Sequence, residues 1–270
     1  GIAAAGPGER LFGPGAARPG RFVNVYLPGG DKLLPRPLSI CGYIDDVAGA
    51  GVAKAPAAGD LLVLVYAVVG AGTEALSRMR AGDTLRVSTP LGHGYETGDL
   101  GAGSSALLVG GGLGIPPLLF LAKELRKQGV AVTAVLGSRE APILQEELAA
   151  AGATVRTAAE KGSVDSTGSA AHIGCVDQIG TVLDLLETMR PSADAWFACG
   201  PKPMLSALAT WAAGYGIDPQ ISLEERMGCG TGVCLVCACK VKAGEADFEY
   251  KRCCKDGPVF NAKEVLWESI

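Results

Sequence analysis

The residues with the clearest chemistry are four cysteines that fall within the eleven positions from 229 to 239. Cys229, Cys234 and Cys237 follow the spacing C-x4-C-x2-C, which is typical of plant-type [2Fe–2S] clusters. Glycines alternate with the first of these cysteines and give the backbone the freedom to turn N–H groups toward sulfur. The spacing therefore predicts an iron–sulfur site with these three cysteines as ligands.

Two questions about this site stay open at the level of spacing. Zinc ribbons use paired C-x2-C knuckles, and only Cys234 with Cys237 forms one here, so zinc is the alternative metal. A fourth ligand must come from elsewhere, and Cys253 and Cys254 are the downstream candidates. Neighbouring side chains in an extended segment point to opposite sides, so only one of the two can easily face the cluster.

A second candidate site is the glycine-rich turn Gly110–Gly114, which follows a short apolar run. A strand that ends in glycines before a helix lets the backbone approach a phosphate, so Gly111, Gly112 and Gly114 are candidates for nucleotide binding. The run GGGLG is not the complete G-x-G-x-x-G fingerprint, and a plain tight turn is the alternative. Cys199 ends a later strand and is expected to face the same cleft as a catalytic residue, unless it only packs there.

Two polar motifs lie earlier in the chain. In Arg36–Ser39 a guanidinium and a hydroxyl suit a phosphate or a polar ring edge, and Pro37 favours an edge or ligand-facing position. Gly72 and Thr73 precede a short predicted helix and could offer N–H and hydroxyl donors to a pyrophosphate, with Thr73 as the helix N-cap. The plainer alternatives are the start of a surface strand and a simple helix cap.

The first part of the chain, from about residue 21 to 98, predicts a small antiparallel β-barrel. Short runs of β-branched and aromatic residues are separated there by Gly- and Pro-containing turns. The predicted strands are Phe22–Leu27, Leu38–Ile44, Leu61–Val69 and Thr84–Ser88, with one helix over Glu74–Arg80.

After the Gly/Ser-rich linker GDLGAGSS, apolar runs alternate with helical patterns, which predicts a doubly wound parallel α/β sheet. Its predicted strands are Ala106–Val109, Ala131–Leu136, Thr154–Thr157 and Ala195–Cys199, and its helices are Ile115–Lys127, Ile143–Ala151, Asp177–Met189 and Lys202–Tyr215. The last block has no clear periodicity. We therefore expect three domains, a barrel over 1–99, an α/β domain over 100–221 and a small cluster subdomain over 222–270.

Composition narrows the classes of function. The chain has 270 residues, of which 48% are apolar and 19% charged, enough for more than one packed core. A net charge of −4 without a long basic run gives no reason to expect nucleic acid. No uninterrupted apolar segment of about 18 residues is present, so a membrane span is not expected.

The ends and the cysteine usage indicate a compartment. The start GIAAAGPGERLFGPGAARPG lacks the basic and apolar regions of a signal peptide. Because the chain begins with Gly rather than Met, we expect a first strand to be missing, trimmed or processed. The nine cysteines are an odd number, and five lie beyond residue 230, unlike the even spread of a secreted disulfide protein. We expect a cytoplasmic protein whose cysteines bind metal.

Taken together, these motifs resemble the ferredoxin–NADP reductase superfamily and, within it, the electron transfer subunits of class 1 dihydroorotate dehydrogenases of the NAD-dependent B type. The resemblance runs from about residue 19 to the end of the chain. The residues that carry it are Pro19–Val23, Arg36–Ser39, Leu91–Tyr95, Gly110–Pro117, Cys199–Met204, Ser222–Met227 and Asp256–Phe260. The runs SLEERMGCGTGVC and DGPVF are the most specific, whereas the barrel motifs are shared with sister reductases.

The resemblance implies FAD on the barrel, NAD in the α/β domain and a [2Fe–2S] cluster that faces a partner. That partner would be a separate FMN-containing dihydroorotate dehydrogenase catalytic subunit, with two copies of each chain, acting in pyrimidine (UMP) biosynthesis. Electrons would pass from FMN through the cluster and FAD to NAD+. The implied FAD-binding residues are Arg36, Pro37, Leu38, Ser39, Val65, Tyr66, Ala67, Gly72 and Thr73, and the implied cluster ligands are Cys229, Cys234, Cys237 and Cys254.

The sequence departs from the family pattern at two places. Ala67 stands where the family usually has Arg after the Tyr of the second FAD strand, which removes one phosphate contact. Ser166 and Thr167 replace an acidic pair, and nothing in the sequence explains that change. His93 and His172 are not needed by the implied chemistry and are interpreted as loop residues.

Two other functions fit the same residues less well. The first is a related NADH- or NADPH-dependent reductase subunit that serves ferredoxin, sulfide or another oxidoreductase. The runs CLVC and DGPVF favour the dihydroorotate system over this one. The second is a zinc-stabilised, nucleotide-binding regulator that is not an enzyme, which a colourless protein holding zinc would indicate.

Overall fold

The computed structural model describes residues 2–4, 11–13, 15–27, 33–44, 59–161, 176–244 and 247–267. The first part is an antiparallel half-barrel sheet with strand order β1-β4-β3-β2-β5, which confirms the predicted antiparallel β domain. Its elements are β1 Ile2–Ala4, β2 Phe22–Tyr26, β3 Arg36–Ile44, β4 Leu61–Leu64, α1 Ala71–Ser77 and β5 Arg86–Val87.

Two local predictions in this sheet are wrong. Strand β4 ends at Leu64 rather than Val69, and residues 65–69 leave the sheet as an irregular segment. The N-cap of α1 is Gly70, and Thr73 lies in the third helical position. The Thr73 hydroxyl accepts hydrogen bonds from the backbone N–H groups of Val69 and Gly70, at 2.9 and 3.2 Å. It therefore stabilises the helix start from inside the first turn, as the second half of a capping box does.

Strand β2 separates two apolar regions because its side chains alternate between two faces. Val23 and Val25 pack into the barrel core with Ile40. Phe22 packs on the opposite side, in a core that extends into the α/β sheet and the C-terminal segment. The strand is buried on both faces over most of its length, so it forms an internal wall of the molecule.

The second part is a doubly wound sheet of seven strands, in the order β14-β11-β10-β6-β7-β8-β9, which confirms the predicted α/β class. All neighbouring strands are parallel except β14, which is antiparallel to β11. The elements are β6 Ser105–Gly111, α2 Ile115–Lys127, β7 Ala131–Ser138, α3 Gln145–Ala150, β8 Thr154–Ala159, β9 Gln178–Ile179, α4 Val182–Met189, β10 Ala195–Cys199, α5 Lys202–Gly214, β11 Gln220–Ser222, β12 Ala238–Lys242, β13 Phe248–Arg252 and β14 Val259–Asn261.

Both faces of this sheet are covered, as a parallel sheet requires. Leu107 and Val109 of β6 pack on one face with residues of α4 and α5. Leu108 packs on the other face with α2 and with Leu148 of α3. The β strands are therefore near-continuous apolar runs, and the polar chemistry is left to their carboxyl ends.

The predicted helix Asp177–Met189 begins later than expected. Residues Gln178–Ile179 form the edge strand β9, and the helix starts at Val182. Thr181 and Asp184 form a reciprocal capping box, with the Thr181 N–H donating to Asp184 Oδ2 at 2.7 Å. The apolar periodicity of the sequence continues upstream of Thr181, but the capping box fixes the start of the helix at Val182.

The C-terminal segment contains more regular structure than its sequence indicated. Strands β12 and β13 form a two-stranded antiparallel hairpin. Strand β14 then returns to the large sheet, where Val259 pairs with Ser222 of β11. The division at residues 99 and 221 stays a prediction. Within the described ranges, no helix has the length and apolar character needed to cross a bilayer.

Candidate functional site

A cleft lies between the barrel and the carboxyl ends of the parallel strands, with a volume of about 280 Å³. Such a position, at the strand ends of an open α/β sheet, is where ligands bind in this architecture. The barrel contributes Arg36, Pro37, Leu38, Ser39, Val65, Tyr66, Ala67 and Thr73, and the sheet contributes Leu113, Gly114, Pro116, Cys199 and Gly200. The structure thus brings together residues that the sequence assigned separately to flavin and to nucleotide.

Arg36 and Gly72 meet at the barrel side of this cleft. A Cβ atom on Gly72 would lie 2.1 Å from Arg36 Nε and 2.5 Å from Nη2, so the guanidinium rests directly on this glycine. Arg36 Nη1 donates to the carbonyl oxygen of Leu34 at 2.6 Å, which holds the side chain in place. A guanidinium fixed over a bare backbone is suited to an anionic group such as a pyrophosphate.

The three glycines predicted to bind the nucleotide differ in their structural surroundings. A Cβ on Gly111 would lie 2.4 Å from Met204 Sδ, and one on Gly114 would lie 2.1 Å from the Cys199 carbonyl oxygen. These two positions need glycine for packing alone. Gly112 has open space around it and a φ of +52°, so it is the glycine whose backbone is accessible to a ligand. Of the three, only Gly114 lines the cleft itself.

Cys199 ends strand β10 between two residues to which the sequence assigned no role. The side chains of Tyr95 and Ser222 act to lower the pKa of its thiol, against the larger opposing effect of burial. The Tyr95 hydroxyl also donates to the carbonyl oxygen of Ala198 at 2.9 Å. Burial raises the pKa of Cys199 to about 12, so the group in the cleft is a neutral thiol. It can shape the cleft and hold a hydrogen bond, but it is not a nucleophile at neutral pH.

Tyr95 connects the two halves of the cleft. Its backbone N–H donates to the carbonyl oxygen of Pro19 at 3.0 Å, and its ring packs edge-on against Phe197, with centroids 5.5 Å apart. A Cβ on Gly20 would lie 2.9 Å from the tyrosine ring, so that glycine is needed for the approach. The run Leu91–Tyr95 was noted in the sequence only as a motif, and this contact with β10 could not be read from it.

The cluster loop, residues 228–237, directs backbone N–H groups at sulfur. Cys229 Sγ accepts from the N–H groups of Thr231, Val233 and Cys234 at 3.3, 3.4 and 3.5 Å, and the Cys229 N–H donates to Cys234 Sγ at 3.3 Å. The Thr231 hydroxyl, together with these N–H groups, lowers the pKa of Cys229 to about 5. The loop therefore stabilises a thiolate, the form that binds metal.

The fourth-ligand candidates differ in direction. The backbone N–H of Cys254 donates to Cys237 Sγ at 3.4 Å. The Cys253 thiol instead donates to the carbonyl oxygen of Leu223 at 3.3 Å, in the protein interior. Cys239 is turned away as well, with its thiol donating to the Lys251 carbonyl oxygen at 3.4 Å. Cys254 is thus the residue of the pair that faces the other predicted ligands.

An ion pair holds the turn that carries Cys254. Arg252 and Asp256 bond through two parallel contacts, Nε to Oδ2 at 2.8 Å and Nη2 to Oδ1 at 2.9 Å. The guanidinium lowers the pKa of Asp256 to about 2. Arg252 Nη1 also donates to the carbonyl oxygen of Gly232 at 3.3 Å, which joins this turn to the cluster loop.

The predicted sulfur ligands approach in two pairs, Cys229 with Cys234 and Cys237 with Cys254. Within the described ranges, no three His, Cys, Asp or Glu side chains gather as the ligands of one ion do. A two-iron cluster needs two sulfur ligands on each iron, whereas a zinc site needs four around one centre. In the described residues these cysteines are therefore linked in twos and are not gathered around one centre.

A wider groove of about 1450 Å³ lies beside the cleft and includes Cys229 and Cys234 in its wall. Glu225 and Met227 line both the groove and the cleft. Lys202, at the start of α5, forms an ion pair with Glu225 at 2.6 Å, which fixes this shared wall. The two candidate sites are therefore neighbours that share part of their wall.

The outer surface of the cluster loop is apolar. Val233, Leu235 and Val236 expose 81%, 61% and 59% of their surface. Leu235 also has a φ of +61°, a backbone conformation that is strained for a leucine. An exposed apolar group of this kind is typical of a protein–protein contact.

Comparison with known proteins gives consistent matches. The family model for the iron–sulfur cluster binding domain of dihydroorotate dehydrogenase B matches residues 224–266. The electron transfer subunit of dihydroorotate dehydrogenase B (NAD+) from Bacillus caldolyticus is 43% identical over 252 residues, covering 92% of this chain and 87% of that protein. The subunit of the same name from Enterococcus faecalis OG1RF is 37% identical, with the same coverage.

Solved structures agree on the fold. The structure of an NADH-dependent reduced ferredoxin–NADP oxidoreductase, studied for flavin-based electron bifurcation, matches with a TM-score of 0.71 and 27% identity, over 95% of this chain and 83% of that one. A ferredoxin NADP+ reductase from Neisseria gonorrhoeae with bound FAD and NADP matches with a TM-score of 0.50 and 16% identity, over 76% and 83%. The second match shows the fold alone.

Proposed function

This chain belongs to the family of dihydroorotate dehydrogenase B (NAD+) electron transfer subunits, and on that premise we propose that it carries electrons from an FMN-containing catalytic subunit to NAD+. The route we propose runs through an iron–sulfur cluster and FAD. The catalytic subunit would oxidise dihydroorotate to orotate in pyrimidine (UMP) biosynthesis. We also retain the three-domain division and the cytoplasmic location, in keeping with the eight free thiols in the described ranges.

The observation that carries this proposal is the shared wall between the two candidate sites. Glu225 and Met227 line both the cleft that holds the predicted flavin residues and the groove that holds Cys229 and Cys234. A flavin, when bound, accepts electrons one at a time and gives them to a nicotinamide as a hydride. Adjacent flavin and cluster sites are what such a conversion requires.

For the cofactors, we propose that FAD lies against the Arg36–Ser39 and Val65–Ala67 segments, with Gly72 and Thr73 at its phosphates. The nicotinamide of NAD would enter beside Gly114 and Cys199. The guanidinium over Gly72 and the open backbone of Gly112 support these placements. Ala67 lines the cleft with a small side chain. Among the described residues that line the cleft, Arg36 is therefore the arginine on the barrel side.

For the metal, we propose a [2Fe–2S] cluster with Cys229, Cys234, Cys237 and Cys254 as ligands. The two sulfur pairs and the N–H groups directed at Cys229 support this assignment. Burial raises the pKa of Cys254 to about 12, so metal binding must displace a proton there. The chain's own contribution is to hold the four sulfurs and to exclude Cys239 and Cys253 by turning them away.

For the partner, we propose that the FMN-containing catalytic subunit covers the exposed face of the cluster loop, in a complex with two copies of each chain. Val233, Leu235 and Val236 would be buried in that contact, and the strained backbone of Leu235 would be compensated there. Removing these apolar side chains from water would stabilise the contact through the hydrophobic effect.

The proposal is tested with the purified chain, alone and with its catalytic partner. We expect flavin and iron–sulfur absorbance, and electron transfer from NADH to artificial acceptors by the chain alone. Dihydroorotate-dependent reduction of NAD+ should require the partner. A colourless, zinc-containing chain would contradict the cofactor assignment, and dihydroorotate oxidation by the FMN-free chain would contradict the division of labour.

The full-length structural match to an NADH-dependent reduced ferredoxin–NADP oxidoreductase favours a second candidate function, a reductase subunit that serves ferredoxin. The same preparation separates the two. Reduction of ferredoxin by NADH at a rate far above that of dihydroorotate-dependent NAD+ reduction in the complex would favour this alternative.

A further inference from the structure

A buried asparagine in the barrel wall contacts the cluster loop. Asn24 is 0% exposed and lies in the middle of β2, between Val23 and Val25, which pack into the barrel core. Its side chain shares the opposite face with Phe22, because side chains alternate along a strand. A position chosen for packing alone would be apolar, so the amide needs a specific reason.

The amide bonds a predicted cluster ligand through its backbone. Asn24 Nδ2 donates to the carbonyl oxygen of Cys229 at 3.0 Å, a contact between residues 205 positions apart. Since that carbonyl only accepts, the NH₂ group of the amide must be the one that faces it. Asn24 Oδ1 is buried without a hydrogen-bond partner in the part of the chain that the structure describes. The Asn24 side chain is therefore present in the strand although its Oδ1 atom accepts no hydrogen bond from the described residues.

The next residue of the loop fits against the same amide. A Cβ on Gly230 would lie 2.5 Å from Asn24 Nδ2 and 2.8 Å from Oδ1. Gly230 also has a φ of +70°, so its backbone follows a path that glycine favours. The loop therefore lies directly on the Asn24 amide, with a hydrogen bond at Cys229 and close packing at Gly230.

Residues next to Asn24 in the sheet line the flavin cleft. Its partner across the β2–β3 ladder is Pro37, which lines both the cleft and the groove. Its neighbour on the same face, Phe22, lines the cleft as well, whereas Tyr26, two residues further on, lines the groove with Cys229. Asn24 thus stands at the point where the strand passes from one candidate site to the other.

We propose that Asn24 is a positioning residue that fixes the cluster loop to the barrel strand through the Cys229 carbonyl. Its role is to hold the first cluster ligand at a set distance from the flavin cleft. The inference rests on the proposed function, because the bond has this purpose only if Cys229 binds a cluster and the cleft binds flavin.

The test uses the whole chain, with its iron and FAD, and the variant Asn24→Leu, which keeps the branching at Cγ and removes the donor. The matched control is Ser88→Ala. It removes the bond from the Asn24 backbone N–H to Ser88 Oγ, at 2.9 Å, and leaves the amide intact. We expect Asn24→Leu to release iron to a chelator about tenfold faster, in line with the loss of a buried hydrogen bond. FAD content should be unchanged, and Ser88→Ala should release iron at the wild-type rate.

A loop-specific readout separates positioning from general destabilisation. Hydrogen exchange at the amides of residues 229–234 should accelerate in Asn24→Leu, while exchange in the α/β sheet stays at wild-type rates. Wild-type iron release and wild-type loop exchange in this variant would overturn the proposal, as would equal acceleration throughout the chain. A wild-type chain that carries no iron would instead overturn the proposed function.

A second pair of variants approaches the contact from the loop and covers the case in which Asn24→Leu does not fold. Gly230→Ala places a methyl group against the buried amide, whereas Gly232→Ala, at a φ of +88°, places one against the flexible chain of Lys255. Both carry similar backbone strain. We expect iron release to accelerate clearly more in Gly230→Ala, and equal rates for the two would contradict a role for the Asn24 contact.

Discussion

The two candidate sites are built in different ways. Three of the four proposed cluster ligands lie in the stretch from Cys229 to Cys237, with glycines and N–H···S bonds arranged within the same stretch. The cleft instead collects short segments from β3, from the chain after β4, from the turn after β6 and from the end of β10. The first site is a property of a local loop, and the second is a property of the whole topology.

This difference predicts how each site fails. Loss of one sulfur should empty the cluster loop while the cleft stays intact, because the two do not share a ligand. A clash at a strand end should damage the cleft while the cluster loop keeps its sulfurs. Variants that affect both sites equally would show that the comparison is wrong.

The largest effect should come from the fourth sulfur. Cys254→Ala is expected to lose the cluster or leave it labile, because its partner Cys237 is left without a second thiolate. Cys253→Ala and Cys239→Ala should keep the cluster, since both thiols donate to backbone carbonyl oxygens elsewhere. Iron content and the reduced-state electron paramagnetic resonance signal measure the difference. Loss of that signal in Cys253→Ala, with retention in Cys254→Ala, would reverse the assignment.

The next largest effect should come from the cleft. Gly114→Ala would place a methyl carbon 2.1 Å from the Cys199 carbonyl oxygen, so the turn and β10 must separate. Overpacking of this kind costs about 1–3 kcal/mol, and we expect NADH affinity to fall roughly ten- to a hundredfold. Gly101→Ala, whose Cβ would meet nothing within 4 Å and whose φ is not positive, is the control for packing and should bind NADH with wild-type affinity. Iron content equal to wild type in both variants would support the expectation that the cleft can be damaged without affecting the cluster loop.

An effect of similar size is expected at the flavin phosphates. Arg36→Ala should weaken FAD retention by about 1.5–3 kcal/mol, or roughly ten- to a hundredfold in affinity, and leave the iron signal unchanged. Arg78→Ala is the control, since Arg78 is an exposed arginine paired with Glu74 on α1. FAD content after dialysis measures both. Equal retention in Arg36→Ala and wild type would count against the placement of the phosphates.

The smallest effect concerns pH at the cleft. The pKa of Cys199 is raised by burial from about 9 to about 12, so between these values the unfolded chain loses a proton that the native chain keeps. The contribution of this thiol to stability is therefore complete below pH 9 and declines as pH rises toward 12. Wild type should lose stability relative to Cys199→Ala over that range in urea unfolding. A constant difference would show that the thiol is not buried as described.

The sequence predicted the cluster loop in detail because its determinants lie within a few residues of one another. The spacing of Cys229, Cys234 and Cys237 indicated sulfur ligation without help from the fold. The choice between Cys253 and Cys254 depended on resemblance, since spacing leaves both open. The directions of the two side chains depend on the positions of β13 and of the turn that follows it, which the spacing of the cysteines does not determine.

The remaining features could not be predicted because they join segments far apart in the chain. Nothing near Asn24 in the sequence indicates a bond to Cys229, and nothing near Tyr95 indicates one to Ala198. Thr73 was assigned the wrong capping position because the competition between neighbouring caps is decided by backbone geometry. The substitutions at Ser166 and Thr167, and the loop assignment of His172, lie outside the described residues.

The return of β14 to the large sheet has a consequence for how the chain evolves and is engineered. The cluster segment leaves the sheet after Ser222 and re-enters it at Val259, so both of its ends are pinned to adjacent strands. An excursion closed in this way has already met the entropy cost of loop closure, which grows only slowly with length. Changes of length at the exposed turns of this segment should therefore leave the pairing of β11 with β14 in place, whereas its buried side chains share one core with the sheet and must be kept.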